Sequence, residues 1–127
     1  PNYDILLNSG MRPDPQNTIF TWGDTIYNPS DREIPDHLIE HEKVHSQQQG
    51  GDPKTWWGRY IQDPYFRIDQ EVEAYAKQYQ TLCKAIKDKN ARYKLLYRLS
   101  ESLSSIRYGG IITRTVAMKF IKDKAKI

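Results

Sequence analysis

Six apolar residues in the middle of the chain recur at alternating spacings of four and three. They are Ile68, Val72, Tyr75, Tyr79, Leu82 and Ile86. Because an α-helix has about 3.6 residues per turn, this spacing places all six side chains on one face. Asp63-Pro64 stands just before them, and a capping carboxylate followed by proline is a typical helix start. The pattern therefore predicts a long amphipathic helix that buries one side.

The rest of the chain after residue 34 is also predicted to be helical. Start and stop signals divide it into separate helices. The predicted segments are a helix over 35–49 that ends at Gly50-Gly51, a short helix after Asp52-Pro53 with Trp56, Trp57, Tyr60 and Ile61, a helix from Asn90 that points Leu95, Leu96, Leu99, Leu103 and Ile106 inward, and a last helix over 113–122 after Gly109-Gly110.

The first 34 residues have a different residue pattern, in which glycines and prolines separate short runs that favour β-strands. Residues 3–7, 18–22 and 25–27 are candidate strands, and Gly23-Asp24 is a tight-turn signal. The expected fold class is α+β, with a small N-terminal antiparallel sheet packed on the helices. A length of 127 residues fits one domain, 1–127.

Composition removes several classes of function. The net charge is only +3, so no nucleic-acid partner is expected. The basic excess lies near the end of the sequence, in Lys119, Lys122, Lys124 and Lys126, and it leaves a basic nucleic-acid binder as an alternative. A single cysteine, Cys83, allows no internal disulfide and suits a small buried side chain. No apolar run approaches a membrane span and no signal peptide is visible, which predicts a cytoplasmic protein.

The chemistry concentrates in His41-Glu42-Lys43-Val44-His45, which is an HExxH motif inside the predicted helix 35–49. Residues four apart lie on the same helical face, so both imidazoles can reach one metal ion, and neutral imidazole is a good zinc ligand. Glu42 projects about 100° away, beside the ion, where it can take a proton from water.

Catalytic zinc sites generally use a third protein ligand. On a helical wheel, Glu71 lies at the margin of the apolar stripe, about 60° from its centre, whereas Glu73 lies about 140° away and faces solvent. Glu71 is therefore the expected third ligand. The alternative is an intrahelical pair of Glu71 with Arg67 or Gln78.

These residues resemble the gluzincin-type zinc metallopeptidases, especially small single-domain minigluzincins and phage-type members. The resemblance covers about residues 18–80 and rests on HExxH, Gln48 and the segment from Arg67 to Ala74. It implies a zincin-like fold, a Zn²⁺ cofactor, His41, His45 and Glu71 as ligands, and Glu42 as general base. It also leaves a phage-encoded origin open.

The chain departs from this family in two ways. The position four after the ligand Glu often carries an acidic residue that orients a ligand His, and here it is Tyr75. A backbone carbonyl, Tyr75 or Glu40 is a candidate replacement. The second departure is that no separate domain supplies a transition-state donor. The candidates for that role are His37, Tyr60, Tyr65 and Tyr108.

His37 is not expected to bind the same ion. Three histidines at four-residue intervals span about 12 Å along a helix, which is too long for one metal centre.

The sequence thus predicts a zinc-dependent hydrolase of the peptidase type. The resemblance, together with the predicted strand edge at 18–27, implies that its substrates are peptides or proteins paired along that edge. The alternative is a phage, structural or interaction protein that binds zinc without catalysis.

Overall fold

The structure, a computed structural model, describes residues 18–127. Over that range the chain is mostly helical, with one small antiparallel sheet, which confirms the α+β class. The elements are β1 (Phe20–Trp22), β2 (Thr25–Tyr27), α1 (Asp36–Gln49), α2 (Pro53–Gln62), α3 (Pro64–Ala85), α4 (Lys89–Ser104), a 3₁₀ turn (Ile106–Tyr108) and α5 (Arg114–Ala125). The candidate strand at 3–7 lies outside the described residues.

The two strands form a hairpin closed by the predicted Gly23-Asp24 turn. Trp22 pairs with Thr25 next to the turn, and Thr21 pairs with Ile26 one step further. Gly23 has a φ of +62°, a conformation that glycine adopts without strain. In an antiparallel pair the hydrogen-bonded and non-bonded positions alternate. The backbone groups of Thr21 and Ile26 therefore point away from the partner strand.

The helix starts follow the capping chemistry of the sequence. The side chains of Asp52, Asp63, Asp88 and Thr113 each accept a hydrogen bond from a backbone N–H in the first turn of the helix that follows. α1 begins one residue later than predicted, with Pro35 just outside it. It ends where predicted, because Gly50 takes the left-handed conformation with a φ of +58°.

The apolar core lies on one side of α3, against α4 and α5. Ile68, Tyr75, Tyr79 and Cys83 are buried there, which confirms the stripe and the burial of the cysteine. Their partners from α4, the 3₁₀ turn and α5 are Leu96, Leu103, Tyr108, Ala117, Ile121 and Ala125. Ile106 was expected inward, but it is 65 % exposed because α4 has already ended at Ser104.

Arg67 is buried in this core and is satisfied by backbone carbonyls. Its Nε donates to Tyr60 O at 2.9 Å, one terminal nitrogen to Ile61 O at 2.7 Å and the other to Tyr108 O at 3.0 Å. A buried charge is tolerated when its donors are paired. The planar guanidinium thus ties the end of α2 to the 3₁₀ turn.

The last helix is longer than the predicted 113–122. It continues to Ala125, which is buried, and Gln80 Nε2 on α3 donates to Ala125 O at 2.9 Å. The sequence did not predict the burial of Ala125, because one small apolar residue between lysines gives little periodic signal. Among the described residues, no helix combines the length and apolar character that crossing a membrane requires.

Candidate metal centre

Helix α1 buries a polar face. Its buried side chains are His41, Glu42, His45 and Gln49, each 5 % exposed or less. Burying polar groups is unfavourable unless each finds a hydrogen-bonding or charged partner. α1 packs on α3. His37, early in α1, contacts Gln78, and His45, later in α1, contacts Glu71, which precedes Gln78 on α3. The two helices therefore run antiparallel.

Glu71 is the point where the HExxH helix and α3 meet. Its side chain is buried, and Oε1 lies 3.2 Å from Nε2 of His41 and 3.2 Å from Nε2 of His45. Glu73 is exposed and accepts a hydrogen bond from Gln48. The helical wheel therefore distinguished the buried Glu71 from the exposed Glu73, although Glu73 also contacts α1 through Gln48. Glu71 pairs with the histidines of α1 and not, as in the alternative, within its own helix.

The imidazoles are oriented by two glutamines. His41 Nδ1 lies 2.9 Å from Gln78 Oε1, and His45 Nδ1 lies 2.8 Å from Gln48 Oε1. These amide oxygens only accept, so each histidine carries a proton on Nδ1. Tyr75 and Glu40, the candidate partners from the sequence, do not fill this role. The Tyr75 ring instead packs edge-on against His41 with a centroid distance of 4.6 Å.

This arrangement tests whether the site suits a cation. With protons on both Nδ1 atoms, a neutral His41 and a neutral His45 each direct a lone pair toward the same oxygen of Glu71. Facing acceptors at 3.2 Å require a proton or a metal ion between them. Around a tetrahedral zinc ion, neighbouring donor atoms are about 3.3–3.6 Å apart, given bond lengths of about 2.0–2.2 Å. The donor set and its spacing are compatible with zinc.

Glu42 completes a group of three residues that could hold a metal ion. Ligand atoms of His41, Glu42 and His45 lie within 4.8 Å of one another. Glu42 Oε2 is 3.8 Å from His41 Nε2, and Oε1 accepts a hydrogen bond of 2.8 Å from the hydroxyl of Thr21 on β1. Oε1 of Glu71, at 3.2 Å, lies closer to the Nε2 atoms of both imidazoles than Oε2 of Glu42, at 3.8 Å, lies to Nε2 of His41.

The charges at the site shift several pKa values when no metal is present. Burial alone would lower the pKa of His45, but the Glu71 carboxylate beside it raises that pKa to about 9. Burial alone would raise the pKa of Glu71, yet the charge of His45 and hydrogen bonds from both imidazoles hold it well below its usual range. Burial raises the pKa of Glu42, against the opposing effect of the two histidines. A raised pKa suits a carboxylate that accepts a proton.

Tyr60 of α2 holds the other oxygen of Glu71. Its hydroxyl donates to Glu71 Oε2 at 2.6 Å. Burial and the neighbouring carboxylate raise the pKa of Tyr60 well above its usual value, so the hydroxyl stays protonated and remains a donor. Tyr60 was a candidate transition-state donor in the sequence, and the structure places it behind Glu71 instead.

The remaining candidates occupy different places. Tyr65 is 81 % exposed on the outside of α3. The Tyr108 hydroxyl is buried and lies 2.8 Å from the hydroxyl of Tyr75, one side chain removed from His41. His37 Nδ1 lies 2.8 Å from Gln78 Nε2, so it is linked to His41 through an amide. Roles of Tyr108 and His37 toward a substrate remain predictions.

Part of the expected peptide-binding edge is already paired. The outward carbonyl of Thr21 accepts from Gln49 Nε2 at 2.8 Å and from Trp57 Nε1 at 3.0 Å, while Gly23 N–H donates to Gln49 Oε1 at 2.6 Å. Side chains thus take the place of a neighbouring strand along β1. The outward backbone groups of Ile26 on β2 are the ones that strand pairing would use.

Sequence reasoning missed Gln78 and Thr21. Gln78 stands about two turns after Glu71 on the same helical face, and His37 stands about two turns before His45, the residue that meets Glu71. This matched spacing on two packed helices was the available signal. Thr21 carried no signal, because a threonine in a predicted strand is ordinary.

Comparison of the chain with models of known protein families, with curated proteins and with solved structures finds no significant match.

Proposed function

We propose that this protein is a zinc-dependent metallohydrolase of the peptidase type, with a zincin-like arrangement of hairpin, HExxH helix and Glu-bearing helix. His41, His45 and Glu71 hold the ion. The observation that carries the proposal is the single Glu71 oxygen placed 3.2 Å from both imidazole nitrogens. Tyr60 fixes the second oxygen of the same carboxylate, so Glu71 presents one atom to the centre.

Glu42 is the general base in this proposal. Zinc bound at such a centre lowers the pKa of a water molecule and polarises a carbonyl group. Thr21 holds Glu42 Oε1, which leaves Oε2 on the side of His41. Oε2 accepts a proton from the attacking water and then donates it to the leaving amine.

A zinc-binding structural or interaction protein without catalytic activity is the second candidate. It is favoured by the burial of the centre, since His41, Glu42, His45 and Glu71 are each 5 % exposed or less. The pairing of the Thr21 carbonyl by Gln49 and Trp57 also removes one position at which an extended peptide would bind.

One set of measurements tests the proposal. Zinc content and hydrolysis of a broad peptide library are measured for the wild type, Glu42→Gln and Glu40→Gln. Glu40 is the matched control, because it lies on the same helix and pairs with exposed Lys43. We expect one zinc per chain in all three proteins and loss of hydrolysis in Glu42→Gln alone, since an amide cannot take the proton.

The other outcomes separate the two candidates. Zinc without hydrolysis by the wild type supports the non-catalytic alternative. A wild type that binds no zinc contradicts both. Loss of zinc in Glu42→Gln would show that Glu42 is a ligand and that its proposed role is wrong.

A further inference from the structure

Positive and negative charges are segregated along this chain, although their total is small. Residues 84–127 contain twelve Lys and Arg against three Asp and Glu, a net charge of +9. Residues 1–83 contain seven Lys and Arg against thirteen Asp and Glu, a net charge of −6. The total of +3, on which the expectation of no nucleic-acid partner rests, averages these two portions. An asymmetry of this kind favours a polyanionic partner for the basic portion.

Most of the basic portion is folded into α4 and α5, which pack on each other. Its exposed cations are Lys84, Lys87, Lys89, Lys94, Arg98, Arg107, Lys119, Lys122, Lys124 and Lys126. Among residues 18–127, Lys119 is the only one of them that has a carboxylate within 4.0 Å, that of Asp123. The positive charge of this region is therefore largely uncompensated by the part of the chain that the structure describes.

Two tyrosines lie among the cations on α4. Tyr93 is 50 % exposed and Tyr97 is 36 % exposed, and their ring centroids are 6.5 Å apart. Lys94 and Arg98, both exposed, directly follow the two tyrosines in the sequence. Because residues four apart lie on the same helical face, the tyrosines form one row and the two cations form a second row beside it.

Arg114 of α5 holds one of the two rings. Its guanidinium carbon lies 4.2 Å from the centroid of the Tyr97 ring, which is a cation–π contact. A terminal nitrogen of the same guanidinium lies 3.1 Å from Met118 Sδ on α5. The contact across the two helices restrains the Tyr97 ring, so less side-chain entropy is lost when a ligand stacks on it.

Exposed rings beside unpaired cations favour single-stranded nucleic acid over other polyanions. The bases of a single strand stack on aromatic side chains while its phosphates contact Lys and Arg. In a duplex the bases already stack on one another, so the tyrosines would add little. An anionic membrane attracts the same cations, but it binds a helix mainly through apolar side chains. Every exposed residue of α4 is charged, an asparagine or a tyrosine.

We propose that α4 and α5 form a binding surface for single-stranded nucleic acid, in which Tyr93 and Tyr97 stack on bases and Lys94 and Arg98 contact phosphates. The surface is separate from the proposed zinc centre, since none of the proposed ligands lies on α4 or α5. Binding is not specific for sequence, because stacking and phosphate contacts do not read the edges of the bases.

The experiment measures the affinity for a fluorescein-labelled oligothymidine of about 16 nucleotides by fluorescence anisotropy over a series of salt concentrations. Tyr93→Ala removes one ring, and Tyr65→Ala makes the same change at an exposed tyrosine outside the basic portion. Lys94→Glu reverses one charge on α4, and Lys54→Glu makes the same change at an exposed lysine on α2. Circular dichroism checks that each variant is folded.

We expect Tyr93→Ala to weaken binding of oligothymidine about 5–100-fold, the usual effect of losing one base–aromatic stack. It should leave binding of a duplex of the same length unchanged. Lys94→Glu should weaken binding and make the slope of log affinity against log salt shallower, by about 0.7 for one lost phosphate contact. Tyr65→Ala and Lys54→Glu should bind as the wild type does.

Four results would overturn the inference. One is a wild type that does not bind oligothymidine at low salt, and another is an equal loss of affinity in a variant and its matched control. Binding to phosphatidylserine vesicles but not to oligothymidine would assign the surface to a membrane. A dimer at low salt that oligothymidine does not dissociate would assign it to the acidic portion of a second copy. Each result is independent of whether the protein binds zinc.

Discussion

Helices α1 and α5 both pack on α3, but they bury opposite kinds of surface. The buried residues of α1 are His41, Glu42, His45 and Gln49, whereas those of α5 are Ala117, Ile121 and Ala125. Apolar contact is non-directional and tolerates adjustment. Buried polar groups require a specific partner at a specific distance. The α5 side of α3 thus supports stability, and the α1 side holds an arrangement that stability alone does not explain.

The largest expected effect comes from breaking the polar side at its centre. Glu71→Ala should lower zinc affinity by more than roughly 100-fold, because it removes a ligand outright. Loss of an outer hydrogen-bonding partner of a ligand lowers the affinity by up to about 100-fold. Glu73→Ala is the matched control, with the same change one half-turn away on the exposed face. Elemental analysis and chelator competition provide the measurement. Zinc lost in Glu73→Ala but kept in Glu71→Ala would reverse our assignment.

The apolar side should show the complementary behaviour. Ile121 is completely buried on α5, so Ile121→Ala should reduce the free energy of unfolding by about 2–5 kcal/mol. Zinc affinity of the folded protein should not change. Val116→Ala on the exposed side of α5 should change the free energy by less than about 0.5 kcal/mol. Denaturant unfolding measures both, and zinc loss in folded Ile121→Ala would contradict the division between the two sides.

The smallest effect sharpens the boundary of the apolar side. Truncation after residue 121 removes buried Ala125 and its hydrogen bond from Gln80, and should lower the free energy of unfolding by about 1–2 kcal/mol. Truncation after residue 125 removes only Lys126 and exposed Ile127, with an effect below about 0.5 kcal/mol. Equal stability of the two truncated proteins would mean that the Ala125 contact contributes nothing.

The sequence predicted the elements whose signals are periodic or local. The stripe on α3, the caps at Asp52 and Asp63 and the HExxH spacing each depend on a few neighbouring residues, and the wheel separated Glu71 from Glu73. The orienting contacts of Gln78 and Thr21 depend on how α3 and the hairpin meet α1, which no local pattern encodes. The prediction that Ile106 points inward was wrong for a related reason. Helix α4 ends at Ser104, so Ile106 does not continue the helical face on which the prediction relied.

The hydrogen bonds of the Arg67 guanidinium have a consequence for the local opening of the structure. It donates at once to carbonyls of Tyr60 and Ile61 and to that of Tyr108, whose segments are far apart in sequence. If either the end of α2 or the 3₁₀ turn opens, part of the buried guanidinium loses its hydrogen-bond acceptors. The other of these two segments then loses the contact that Arg67 provides. We therefore expect the end of α2, where Tyr60 donates to Glu71, and the 3₁₀ turn to open as one cooperative unit, so that their backbone amides exchange hydrogen with solvent at similar rates.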